Sequence, residues 1–461
     1  MSSDRTSPGT MTAAASAGLD LDDIQRGVLH QRPSPYVGTY LLLRIGDREA
    51  GRRLVRRLYP VIESAQTSSG PAQDASIAVA FTYQGLKALG VPRDSLDSFA
   101  PEFRQGMAAR AAELGDTGDS SPENWEKPLG RPDVHVAVSV LAPDAAQLED
   151  LAARARRAHD ELPGVEVIWR QDCYQLPTGR TSFGFKDGIG QPAVEGSATP
   201  GSNPDEPPIK AGEFILGYPD ETGSVGPMPV PEVLGRNGTY LVFRKLHTRV
   251  AAYRQYLRAK AASREEQALL AAKMVGRWQS GAPLALCPDQ DDPGLGADPG
   301  RNNHFGYGDD LRGFKCPAGA HARRANPRDA FDHEMSVDVR LHRMLRRGTS
   351  YGPMLPDGIL EDDGEDRGII FVFVGAHPKR QFEFVKTQWL NDGIFIGAPA
   401  EKDPLAGAND GTGTFTIPQR PIRRRLQSLP PFVITRGGEY CFAPSLRALR
   451  WLAEPDTGPA D

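Results

Sequence analysis

Apolar and polar positions along the chain alternate between two periods. Tyr36 to Ile45 is apolar and β-rich and predicts a strand. Glu49 to Ala65 then places Leu54, Leu58, Val61 and Ile62 at helical spacing on one face. Ile77 to Tyr83 predicts a second strand, and Val134 to Leu141, which alternates, a third. Ala145 to Leu162 predicts a second helix, with Leu148, Leu151 and Ala155 on one side, and Val165 to Trp169 a fourth strand. Strand, helix, strand, strand, helix, strand is the split βαβ, ferredoxin-like order.

The second half follows the same order more loosely. Tyr240 to Arg244 predicts a strand and His247 to Trp278 one long helix. Met335 to Leu341 fits a strand or a wall of the site. Gly368 to Val374 predicts a buried strand and Lys379 to Leu390 a helix. Pro431 to Thr435 and Glu439 to Phe442 predict two closing strands. Insertions rich in Pro, Gly and Asp, at 198–229 and 281–313, predict loops that serve as lids, walls or plain surface. The expected class is α+β, two ferredoxin-like halves with long loop insertions. The expected division is a leader at 1–20, a first half at 21–200, a connection at 201–238, a second half at 239–453 and a flexible tail at 454–461.

Composition narrows the function. With 461 residues, 39% hydrophobic and 25% charged, the chain is long enough to bury a large core. A net charge of −5 with no basic arm points to neither nucleic acid nor a membrane surface as partner. Four scattered cysteines form no CxxC pair, which suits a reducing compartment. No apolar run suits a signal peptide or a membrane span, so a cytoplasmic location is expected. The oligomeric state is not legible.

Chemistry concentrates in two motifs. In Cys316–Arg328 (CPAGAHARRANPR) His321 stands among small residues that let a flat group approach its imidazole. The arginines that follow suit carboxylates on that group. Haem is flat, bears two propionates and accepts a histidine as axial ligand. His342 is the rival ligand but lacks the small neighbours. In Phe183–Pro192 (FGFKDGIGQP) glycines flank Asp187 on both sides, which places it at a tight loop tip open to a ligand. Taken alone, such a pattern is most often a turn in which aspartate bonds the backbone.

With LRRGTSYG and RGIIFVFVGAHPKRQFEFVKTQW, these motifs stand in one order in which the chain resembles the dye-decolorising peroxidase family. The resemblance covers most of the chain and is closer to the larger, cytoplasmic branch. It implies two ferredoxin-like halves of the dimeric α+β barrel type and haem b as cofactor. It implies hydrogen peroxide as oxidant and an aromatic, phenolic or dye-like reductant. His321 matches the proximal iron ligand, Asp187 the distal acid–base and Arg346 the distal arginine. Ile369 and Phe371 match apolar positions of the distal face, and Gly188, Gln191 and Arg328 are expected at the cofactor. Asp410, with Asp392 as rival, matches the carboxylate behind the proximal histidine. Tyr351 matches a surface oxidation site of some relatives. The alternatives are a haem-handling protein with little turnover, or manganese oxidation or oxygenase chemistry on the same fold.

Overall fold

The computed structural model describes residues 18–66, 75–331 and 338–454; the expected leader lies outside these up to residue 17, and the tail beyond residue 454. The first half supplies β1 (Val37–Ile45), β2 (Ser76–Phe81), β3 (Val136–Ala142) and β4 (Val165–Tyr174). The second supplies β5 (Thr239–Thr248), β6 (Leu345–Arg346), β7 (Thr349–Tyr351) and β8 (Gly368–Gly375). A hairpin of β9 (Gly413–Ile417) and β10 (Arg424–Leu429) precedes the closing strand β11 (Val433–Ala443). One nine-stranded sheet runs β4-β1-β3-β2-β11-β5-β8-β6, with β7 also on β8. Each half thus reads fourth-first-third-second, and all neighbours are antiparallel. The sheet curls until its ends meet: Tyr174 Oη donates to Gly352 O at 2.9 Å, and Ser350 N donates to Tyr36 Oη at 2.7 Å. The result is an α+β barrel.

Side-chain alternation separates its two faces. Val136, Val138 and Val140 of β3 are buried against α1 (Arg48–Leu58) and α2 (Ala145–His159), whose apolar faces carry Leu54, Leu58, Leu151 and Ala155. Asp47 and Asp144 cap these helices, accepting from Ala50 N and Gln147 N at 2.9 Å. The intervening Ala137 and Ser139 are only half-buried and face the lumen of the barrel. Between the halves, β2 and β11 share a single paired position, Phe81 with Phe442. The Gln25 amide bridges beside it, accepting from Val79 N at 3.0 Å and donating to Val79 O and Pro444 O at 2.9 and 2.8 Å.

Several expected elements differ. The long helix is two, α3 (Val250–Lys260) and α4 (Arg264–Val275), because Ser263 caps a new start and β5 already holds His247. Ser263 Oγ accepts from Glu266 N at 3.1 Å, and the Glu266 carboxylate accepts from Ala262 N at 2.9 Å. That is a reciprocal capping box. Lys379–Glu383 and Val385–Leu390 wind as π-helix, not α. The two closing strands are one, bulged at Thr435/Gly437. Of Met335 to Leu341 the first part lies outside the described residues; Val339–His342 is a 3-10 turn rather than a strand. The run Arg423 to Arg425 enters β10, where the Arg424 guanidinium bonds Lys260 O.

Candidate functional site

His321 opens a short helix, α5 (His321–Ala325), between the second-half helices and the β9–β10 hairpin. Small neighbours allow that packing: a Cβ on Gly319 would lie 3.2 Å from Phe415, and one on Gly276 3.1 Å from Ala322. His321 Nδ1 bonds Asp403 Oδ2 at 2.9 Å, and the Asp403 side chain is fully buried. The other carboxylate oxygen accepts from Leu405 N and Ala406 N, both at 2.8 Å. Burial by itself pulls the His321 pKa down, but the Asp403 charge and hydrogen bond outweigh it and raise the value. Burial pushes the Asp403 carboxyl up, and the imidazole's charge and hydrogen bond more than reverse this. With Nδ1 engaged, Nε2 is the ring nitrogen left to bind a ligand. A third of the His321 side chain is open although burial is the largest influence on its titration, so the imidazole lines an internal hollow.

The carboxylate behind the histidine is therefore neither Asp410 nor Asp392. Asp410 is exposed and accepts from Thr412 N and Oγ1 in its own turn, and Asp392 accepts from Ile394 N. Arg324, fully buried, carries Asp403 into place. Its guanidinium donates to Gly319 O, Trp389 O, Asp392 O and Glu401 O at 2.7 to 3.1 Å, tying the 389–403 segment to α5. The rival ligand His342 stacks on Phe384 at 3.8 Å, with Nδ1 against Arg380 O.

Asp187 and Arg346 lie close enough for both charges to act on the imidazole. The Asp187 loop leaves β4, forms one bridge between Arg180 and Lys186, and turns through Gly184, Gly188 and Gly190, all at positive φ. Lys186 anchors it through Nζ to Gly296 O at 3.0 Å. The Asp187 carboxylate is two-fifths exposed and sits 3.3 Å from Arg32. A Cβ on Gly188 would lie 3.7 Å from that same guanidinium, so Gly188 borders the Asp187–Arg32 pair.

Arg346 lies on β6 opposite Phe373 of β8. Residues paired across an antiparallel ladder share a face, so Arg346 projects on the side of Ile369 and Phe371. Both are half-buried, while their neighbours Ile370 and Val372 are buried on the lumen side. Arg346 Nη2 donates to Ile189 O at 3.1 Å, fixing the guanidinium to the Asp187 loop. Gln191, expected at the cofactor, clamps Arg346: its amide accepts from Arg346 N and donates to Arg346 O, both at 3.1 Å. Tyr351, expected at the surface, is 1% exposed, with its hydroxyl 3.2 Å from Asp366 and its ring under Lys245 Nζ at 4.8 Å.

Arg328 donates to Asn303 O, Asn303 Oδ1 and Phe305 O and stacks on the Phe305 ring at 3.9 Å. Beside it is Arg277, which no sequence motif singles out. It donates to Asn303 Oδ1 at 2.8 Å, and burial together with the charges of Arg328 and Arg346 lowers it to about 10. None of these three arginines pairs with a carboxylate among the described residues. A flat group bearing a metal and two carboxylates suits these residues: one free imidazole nitrogen, arginines without a carboxylate partner, and Ile369 and Phe371 half-buried on the face of Arg346. The one local mark of Arg277 is its place after the left-handed Gly276 that ends α4.

The fold is an antiparallel α+β barrel carrying a carboxylate-backed histidine. A family model described as "DyP dimeric alpha+beta barrel domain" matches residues 23–162. The chain is 32% identical to "Peroxidase 2" of Mycetinis scorodonius over 96% of its own length and 90% of the relative's. It is 31% identical to "Dye-decolorizing peroxidase msp1" of the same organism, over 95% and 88% of the two chains. The structure of a dye-decolorizing peroxidase in complex with 2,6-dimethoxyphenol covers 95% of this chain and 100% of its own at TM-score 0.82 and 28% identity. The protein belongs to the dye-decolorising peroxidase family and is an enzyme of that type. Among the described residues no helix is long and apolar enough to cross a membrane.

Proposed function

We propose that the protein binds haem b through His321 and uses hydrogen peroxide to oxidise phenolic or dye-like aromatic molecules in one-electron steps. The observation that carries this reading is the carboxylate-backed His321 with Asp187 and Arg346 near enough for their charges to reach its imidazole. Haem, when bound, would supply the iron that takes peroxide and the redox capacity for two successive oxidations. Asp403 holds the His321 ring with Nε2 toward the metal and makes the imidazole a stronger donor. Asp187 accepts a proton from the inner oxygen of peroxide and returns it to the outer oxygen as O–O bond cleavage releases water. Arg346, fixed before the reaction by Gln191 and Ile189, offsets the negative charge that develops on the oxygens. Arg277 and Arg328 supply positive charge for the propionates, and Ile369 and Phe371 keep the distal face apolar.

Stopped-flow mixing of the holoenzyme with peroxide tests the assignment. Asp187→Ala and Arg346→Ala should each slow the peroxide-dependent spectral change by roughly 10²- to 10⁴-fold. If neither does, the peroxidase mechanism is wrong and a haem-handling role takes its place. His321→Ala should lose haem or change the Soret band; an unaltered band would move the ligand elsewhere.

A further inference from the structure

The barrel lumen is a second chamber, separated from the hollow at His321 by β6 and β8. It holds a cavity of about 80 Å³. Its walls are apolar and partly small: Ala78, Ala80, Ala137, Leu42 and Val372 line it. Space remains because these side chains stop short of the axis; Ala78 and Ala137 stay half-open inside a barrel whose outer face is fully packed. No aspartate or glutamate lines the chamber, but Arg26, Arg347 and Arg32 do, the last paired with Asp187 at 3.3 Å.

Arg347 is the independent sign of a ligand. It follows Arg346 just past the end of β6 and lines the lumen. It is 6% exposed. Its Nη atoms donate to Val28 O, Leu29 O and Arg346 O, while its buried Nε has no partner. No carboxylate pairs with it among the described residues, and burial lowers it to about 10. A buried guanidinium with a vacant donor and no counter-ion is costly, and a bound anion relieves that cost.

We propose that the lumen is a binding site for a short-chain monocarboxylate, its carboxylate on Arg347 and its alkyl chain against the alanine-lined wall. The charge selects an anion. The apolar wall selects a hydrocarbon tail over a second charge. The volume, that of roughly three waters, limits the tail to a few carbons. Arg32 lines this chamber and reaches Asp187 of the His321 site at 3.3 Å.

Titration of the holoenzyme with butyrate, followed by calorimetry and thermal shift, tests this. Saturable 1:1 binding is expected, with Kd on the order of 1 mM and an unchanged Soret band. Butylammonium and 1-butanol should bind at least tenfold more weakly. Arg347→Met should weaken butyrate at least tenfold. Ala137→Leu, which fills the chamber and leaves the arginine in place, should do the same and keeps the test decisive if Arg347→Met does not fold. The proposal is overturned by lack of saturation, by equal binding of the cation or alcohol, by binding that survives Ala137→Leu, or by a Soret shift that tracks butyrate occupancy.

Discussion

Asp403 shows how much one buried side chain controls. It is wholly enclosed, and its three hydrogen-bond donors are His321 Nδ1, Leu405 N and Ala406 N. Asp403→Asn keeps the shape and removes the charge. Metal affinity or turnover should then fall about 10- to 100-fold, as for other partners of a ligating histidine. The checks are the haem dissociation rate and a rise in the iron reduction potential. His321, Asp187 and Arg346 are legible in the sequence because each sits in a short run whose glycines, alanines or arginines state a local need. Asp403 is not, because it meets His321 from 82 positions away. Nothing local distinguishes it from Asp392 or Asp410; Arg324 makes the choice by drawing its segment onto α5. Tyr351 misleads for the reverse reason. A tyrosine looks the same in sequence on a surface and under a lysine, and the barrel encloses this one.

At the scale of elements, β6 is the most consequential piece, only two residues long. Its register is held by Leu345 and Arg346 opposite Val374 and Phe373, and by the two-point grip of Gln191 on Arg346. Gln191→Ala removes two hydrogen bonds of about 1 kcal/mol each. The reaction with peroxide should slow about tenfold while KM for a phenolic reductant barely changes. Parallel stopped-flow and steady-state measurements separate the two. Most long elements are legible because period and length agree, as in the alternation of β3 and the capped amphipathic α2. The gap between α3 and α4 escapes a reading by period although Ser263 and Glu266 spell a capping box, because apolar residues continue on both sides. The β9–β10 hairpin escapes because the successive arginines Arg423 to Arg425 interrupt any alternation of apolar and polar positions. β6 and β7 are too short for any period to appear.

For the whole molecule, the barrel encloses one acid at a cost that depends on pH. Glu439 of β11 is 6% exposed and accepts from Gly130 N at 2.6 Å. Burial pushes its carboxyl from 4.5 up to about 8, against the lowering effect of that hydrogen bond. Between these values the folded chain holds a proton that the unfolded chain has released. Stability must therefore fall as pH rises through this window, by up to ~1.4 kcal/mol for each pH unit crossed. Glu439→Gln should flatten the fall, which chemical denaturation at pH 5, 6.5 and 8 would reveal.

Gln25 carries the last consequence. Its primary amide offers one oxygen and one nitrogen just where β2 and β11 diverge after a single paired position. It is a stand-in for a missing peptide unit, a one-residue strand laid across the gap. The seam between the halves thus has a clasp that can be undone without touching the strands of either half. In Gln25→Ala, deuterium should enter at Val79 N well before it enters β1 or β5, and the barrel should open from that line outward.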